Sequence, residues 1–190
     1  MKINLNKIMT NGKALFLAYD QGLEHGPSAD FNDKNVAPEY IIEIAKNGNF
    51  NAVVFQKGIA EKYNEEIKKS RIPLILKLNG KTNLYKVEPL AEPICTIKEA
   101  VKLGASAVGF TIYIGSSHEA HMMKHFAVIE KEAHERGLPV IAWIYPRGKN
   151  INDDVSKEIM AYAARVGLEI GADIVKLKWK DKLLLMEIMQ

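Results

Sequence analysis

The chain has 190 residues, 47% of them apolar and 26% charged, enough for one domain (1–190) with a substantial core and too few to suggest two. A net charge of +3 with no dense Lys/Arg run excludes a nucleic-acid face and mildly favours an anionic small molecule. The single cysteine, Cys95, excludes an intrachain disulfide and a cysteine-based metal cluster and fits a cytoplasmic location, while no apolar stretch is long enough for a membrane span or a signal-peptide core.

Taken in order, Met1 to Lys13 is polar and a first strand is expected over Ala14–Asp20. A loop from Asp20 to Pro27 follows, then a helix near Glu39–Asn47 and a strand over Ala52–Gln56. The pattern repeats as helix Gly58–Lys69, strand Pro73–Asn79, helix Ile97–Leu103, strand Ala107–Gly115, helix Glu119–Arg136 and strand Pro139–Tyr145. Helix Asp154–Ile170 and a sixth strand, Asp173–Lys178, complete it, and Lys180 to Gln190 reads as at most one more helix. Gly104, Gly137 and Gly171 fall just past helices, where a left-handed residue ends the last turn. Alternation of this kind builds a parallel sheet covered by helices.

Adjacent residues of a strand point to opposite faces. In the sixth strand Val175, Leu177 and Trp179 share one face, and Ile174, Lys176 and Lys178 the other. In the fifth, Ala142 and Ile144 oppose Ile141, Trp143 and Tyr145; in the fourth, Val108, Phe110, Ile112 and Ile114 oppose Gly109, Thr111 and Tyr113. In the third, Leu74, Leu76 and Leu78 oppose Ile75, Lys77 and Asn79, and in the first, Leu15, Leu17 and Tyr19 oppose Phe16, Ala18 and Asp20. One face is apolar to its end. The other turns polar only at the C-terminal ends of the strands, where Gln56 also lies. That is the layout of a barrel active site. An open doubly wound sheet also binds ligands there, but it usually carries a G-x-G-x-x-G turn after its first strand, and Asp20-Gln21-Gly22-Leu23-Glu24-His25-Gly26-Pro27 is not one. The expected fold is therefore α/β, of the TIM (β/α)8-barrel type, with about six βα units present.

Lys176 and Lys178 project from the inward face of the last strand. Burial and a second ammonium nearby both favour the neutral amine, the nucleophile of Schiff-base chemistry. The plainer reading is a lysine reaching from a strand end into water, and it weighs more for Lys178, nearer the rim. Tyr145 could pass a proton to and from a sugar hydroxyl or an enamine carbon, although periodicity alone favours a core tyrosine. Asp20 could pair with a lysine or act as a base. Arg147, just above Tyr145, could fork onto a phosphate or stand as an ordinary loop arginine. His118, His121 and His125 lie at helical spacings, and with no carboxylate at suitable spacing beside them they read as a solvent-facing stripe and not a metal site.

The stretch Tyr19 to Pro27 resembles the D-x-G-x-E-H-G-P signature of archaeal-type class I fructose-bisphosphate aldolases, the Schiff-base family that also includes aminodideoxyheptulosonate synthase. Phe55-Gln56-Lys57-Gly58, Leu76-Lys77-Leu78-Asn79-Gly80, Gly109-Phe110-Thr111-Ile112-Tyr113 with Gly115-Ser116, Trp143-Ile144-Tyr145-Pro146-Arg147-Gly148 and Gly171-Ala172-Asp173-Ile174-Val175-Lys176-Leu177-Lys178 are similar to the same family. The resemblance runs from about Ala14 to Trp179. It implies that Lys176 is the Schiff-base nucleophile, that Tyr145 donates and accepts the proton, and that Asp20 assists. Gln21, His25, Trp143, Arg147 and Lys178 would line the substrate, a sugar phosphate, and neither a metal nor another cofactor is implied. The Glu24-His25 pair favours the bisphosphate aldolase over its relative.

The family continues with two more βα units whose loops hold a substrate phosphate, and a typical barrel needs about 250 residues. Six strands would leave open edges on the first and the sixth. Three expectations follow: an aldolase completed by self-association into a homo-oligomer or by a complementing chain, a non-catalytic relative, or a Schiff-base aldolase for another keto-sugar phosphate.

Overall fold

The computed structural model describes residues 3–26 and 31–178, so the expected tail helix and Trp179 lie outside the described residues. The strands are β1 (Phe16–Tyr19), β2 (Ala52–Gln56), β3 (Leu74–Lys77), β4 (Asn79–Gly80), β5 (Glu92–Pro93), β6 (Ala107–Ile114), β7 (Val140–Pro146) and β8 (Ile174–Lys176). The α-helices are α1 (Gln21–His25), α2 (Pro38–Asn47), α3 (Lys57–Lys62), α4 (Asn64–Ser70), α5 (Ile97–Lys102), α6 (Glu119–Glu135) and α7 (Lys157–Glu169). Six strands pair in the order β1-β2-β3-β6-β7-β8, every pair parallel, and β4 and β5 form a separate antiparallel hairpin. This is the expected α/β arrangement: a curled parallel sheet with the architecture of an incomplete (β/α)8 barrel.

The two faces of the sheet build two cores, and strand parity sorts them. On the outer face Val53, Phe55, Leu74, Leu76, Val108, Phe110, Ile112, Val140, Ala142 and Ile144 pack against helix residues such as Ile41, Ala100, Met122, Phe126 and Ala163. Leu17, Val175 and Leu177 join them at the two ends of the sheet. On the inner face Ala52, Val54, Ile75, Ala107, Ile141 and Trp143 form the second core. Gly104, Gly137 and Gly171 hold φ values of 78°, 67° and 89°, the left-handed conformation that ends α5, α6 and α7. α5 also opens on a capping box, with Thr96 and Glu99 satisfying each other's backbone N–H groups.

Two expectations are corrected, and one segment left without an assignment is structured. The expected helix over Gly58–Lys69 is two helices, because Tyr63 leaves helical geometry and Asn64 turns its side-chain N–H to the carbonyl oxygen of Leu103 at 3.0 Å. The loop after β1 contains α1, a single turn too short to show a period. The polar N-terminal segment is also structured. A 3-10 turn at Leu5–Lys7 places Ile8, fully buried, against the inner core near the N-terminal ends of the strands. It then reverses through Asn11 and Gly12, both at positive φ, between the bridged residues Thr10 and Lys13.

Ile8 closes the bottom of the inner core, so Ile8→Ala should cost about 2–5 kcal/mol. The measurement is the urea midpoint, and a change below ~0.5 kcal/mol would mean the plug contributes little.

Candidate active site

At the C-terminal ends of the strands lies a cavity of about 300 Å³, walled by β1, β2, β3, β6, β7 and β8 and roofed by α1. Asp20, Gln21, His25, Trp143, Tyr145 and Lys176 all line it, together with Glu24, Gln56, Lys77, Lys81, Thr111 and Tyr113. Register explains the grouping. Lys176 pairs with Trp143, Trp143 with Thr111, and Tyr145 with Tyr113, so inward residues of neighbouring strands stand in rows.

Lys176 Nζ donates to the Tyr145 hydroxyl at 2.8 Å. The same ammonium lies 5.6 Å from the centre of the Trp143 ring and 5.4 Å from that of Tyr145, within cation–π range. The indole of Trp143 is buried and leans over Gly109, where a Cβ would meet it at 2.2 Å. Only glycine leaves that space. Trp143 Nε1 and Gln56 Oε1 are both buried with no hydrogen-bond partner among the described residues, one a donor and one an acceptor at the same cavity.

The expectation of a desolvated Lys176 is not met. Among the described residues its strand ends the sheet, and its side chain is exposed. Desolvation falls on Lys77, which is only 4% exposed and donates to the backbone oxygen of Asn79 at 3.0 Å and to its Oδ1 at 3.2 Å. Burial pulls the Lys77 amine down to about 8, against partial support from Asp20 and Glu24, and Lys176 adds to the lowering. Asn79 is itself fixed by its amide, which donates to Ala91 O and Thr111 O at 3.0 and 2.8 Å, and by its Oδ1, which accepts from Thr111 N at 2.7 Å. Parity had placed Lys77 on the inward face. Its burial was invisible because Trp143, from a strand far along the chain, covers it.

Arg147 and Lys178 do not line this cavity. Arg147 Nη1 donates to Glu24 Oε1 at 2.8 Å, and its guanidinium lies 5.5 Å and 5.2 Å from the ring centres of Tyr113 and Tyr145, at the boundary with a neighbouring groove. The Tyr113 hydroxyl donates to the same Glu24 oxygen at 3.0 Å, and burial followed by the Glu24 charge holds this phenol well above its ordinary range. Lys178 is captured by Asp154 at 2.7 Å, in the loop before α7, because the chain has left the strand by that point. Lys81 covers the Tyr113 ring from 5.9 Å, its amine lowered first by burial.

The expectation that no carboxylate accompanies the histidines is also corrected. Glu92 of β5 meets His121 and His125, whereas His118 stands at the N-cap of α6 and is not part of the group. None of these three residues lines the cavity.

The arrangement offers an amine bonded to a phenol, a second amine kept poorly solvated, an orphan donor and an orphan acceptor. The cations Lys77, Lys81 and Lys176 outnumber the carboxylates Asp20 and Glu24, which suits an anionic ligand bearing hydroxyl groups.

Lys77 sets a pH signature. Below about pH 8 it is protonated in both folded and unfolded chains and its burial cost is fully present. Between about 8 and the ordinary 10.5 the unfolded chain holds the proton and the folded chain does not, so stability rises with pH; above 10.5 both are neutral. The gap is worth about 3 kcal/mol at ~1.4 kcal/mol per pH unit. Denaturant titrations should show this rise in the native chain relative to Lys77→Met, and parallel profiles would contradict it.

Residues 14–182 match the DeoC/LacD family aldolase. The chain is 51% identical over 170 residues to the class 1 fructose-bisphosphate aldolase of Thermoproteus tenax, a match covering 88% of this chain and 63% of that protein. A solved Schiff-base-forming fructose-1,6-bisphosphate aldolase matches with a TM-score of 0.91 at 46% identity, covering 97% of this chain and 73% of the other. A solved archaeal fructose-1,6-bisphosphate aldolase, with its catalytic lysine covalently bound to the carbinolamine intermediate, matches with a TM-score of 0.90 at 46% identity and the same coverage. The chain thus spans less than two thirds of the length of the Thermoproteus tenax relative. Since the family match takes in every strand of the curled sheet and both members of the Lys176–Tyr145 pair, the chain belongs to the DeoC/LacD family of aldolases.

Proposed function

We propose that this chain is a class I, Schiff-base aldolase that reversibly cleaves fructose 1,6-bisphosphate to dihydroxyacetone phosphate and glyceraldehyde 3-phosphate, a lyase step of glycolysis and gluconeogenesis. The observation that carries the reading is the 2.8 Å bond from Lys176 Nζ to the Tyr145 hydroxyl in a cavity rich in lysine. The neutral amine of Lys176 adds to the ketone carbon of the substrate, and Tyr145 gives its phenolic proton to the carbinolamine hydroxyl, which leaves as water, so that a protonated imine stands beside a phenolate. Tyr145 accepts the proton of the C4 hydroxyl as the C3–C4 bond breaks, and the bonding pair flows into the imine to form an enamine. The aldehyde leaves. The same phenol returns its proton to the enamine carbon, and water hydrolyses the imine to release the ketone.

In this reading Asp20 assists proton transfer at the same mouth. Trp143 Nε1 and Gln56 Oε1, without partners among the described residues, bond to substrate hydroxyls, and an unmet buried polar atom costs about 1–3 kcal/mol that such bonds recover. Gln21 and His25 of α1 close over the sugar. Lys81 and Arg147 face the phosphates. Lys178, held by Asp154, is left out of the set. The buried thiol of Cys95 fits work in the cytoplasm.

Borohydride added with dihydroxyacetone phosphate should trap a covalent adduct on Lys176, located by peptide mass spectrometry. Tyr145→Phe should retain trapping while lowering cleavage by about 10²–10⁴-fold. A folded chain that traps no ketone, alone or with candidate partners, would rule the reading out. Comparing cleavage of fructose 1,6-bisphosphate with that of fructose 1-phosphate tests the substrate.

Lys176 is exposed, and β8 stands at an end of the six-stranded sheet among the described residues. That exposure favours completion of the pocket by a second copy or by a complementing chain, since an uncovered strand edge is a template for pairing. Trapping per chain should then rise with protein concentration or on adding the partner. A yield independent of both would show that one chain suffices.

A further inference from the structure

Glu92 on β5 and the histidines His121 and His125 on α6 meet outside the cavity, on a part of the surface that plays no role in the chemistry above. The histidines are four residues apart on one helical face, and both turn Nε2 to the same point. The two Nε2 atoms are 3.1 Å apart, with the rings crossed at 72°. Glu92 Oε1 lies 3.0 Å from His121 Nε2, and Oε2 lies 3.8 Å from His125 Nε2.

Hydrogen bonding serves this cluster poorly. An imidazole nitrogen carries either one proton or one lone pair. If both Nε2 atoms carry protons, two N–H groups meet head on at 3.1 Å; if only His121 does, its single N–H faces two acceptors; if it is bare, its lone pair faces a carboxylate oxygen. A cation at the shared point satisfies all three groups together. A tetrahedral ion with ligands at about 2.0–2.2 Å separates neighbouring ligand atoms by about 3.3–3.5 Å, close to the spacings present.

We propose that Glu92, His121 and His125 form a binding site for a borderline divalent transition metal of the Zn²⁺ class, with the remaining positions taken by water. Two imidazoles select this class over the oxygen-seeking Mg²⁺ and Ca²⁺. The bound ion fastens the β4–β5 hairpin to α6. The hairpin carries Asn79, which holds Lys77, and Gly80, which lines the cavity, so the ion braces one wall of the pocket from outside. Sequence spacing could not show the site, because its carboxylate stands 29 residues from His121.

The test is a Co²⁺ titration of the purified full chain, read by visible ligand-field absorption, with Zn²⁺ as competitor. One equivalent should saturate the band, and Zn²⁺ should abolish it. Disturbing only a ligand's hydrogen-bond partner costs about 10–100-fold in affinity, so His121→Ala, His125→Ala and Glu92→Gln should each weaken binding by about 100-fold or more. All three residues are partly or fully exposed, and circular dichroism verifies that the variants remain folded. The proposal is overturned if no saturable band appears, or if the band persists unchanged in folded His121→Ala and His125→Ala. Neither result bears on Schiff-base formation at Lys176.

Discussion

In-register parallel pairing puts inward residues of neighbouring strands at one height, and the cavity is made from those rows. Gln56, Lys77 and Gly109 form one row; Thr111, Trp143 and Lys176 form the next; Tyr113 and Tyr145 stand above. A slip of one residue in any strand would turn its polar group into the helix-covered core. The register is secured from the other side, where Val53, Leu76, Phe110 and Ala142 lock the outer face against the helices. Packing on one face therefore fixes chemistry on the other.

Within those rows, solvation is divided unequally among the amines. Lys77 belongs to an interior strand and is enclosed by Trp143 and Asn79, whereas Lys176 belongs to the strand at the end of the sheet. Like charges repel across the same pocket, and the charge of Lys176 adds to the lowering of the Lys77 amine. Glu24 performs the opposite service. By accepting from both Tyr113 and Arg147 it keeps the guanidinium stacked on the tyrosine rings and ties α1 across the cavity mouth.

The loops reach these positions through long-range contacts of modest individual strength. The β4–β5 hairpin is two residue pairs long, too short to persist alone in water. Asn79 anchors it to β6 through Thr111, and the contacts of Glu92 with His121 and His125 anchor it to α6. A brief element can hold a cavity wall only when its neighbours hold it.

The order of the six strands of the main sheet and of the helices that cover them, the two faces of each strand, the helix-ending glycines and the clustering of polar groups at the strand ends were legible in the chain itself, because periods of two and 3.6 are local properties; the one-turn α1, the break between α3 and α4 and the short β4–β5 pair were not. So was the grouping of Asp20, Trp143, Tyr145 and Lys176 around one mouth, which strand parity gives, whereas Gln21 and His25 joined them only through the family resemblance. Tertiary structure alone decided that Lys77 and not Lys176 is the desolvated amine, that Lys178 is diverted to Asp154, and that Glu24 joins Tyr113 to Arg147. It also decided that Ile8 plugs the inner core and that Glu92 meets His121 and His125. Each depends on groups far apart in sequence coming within a few ångströms. Burial and electrostatics are sums over such neighbours, and no local pattern contains them.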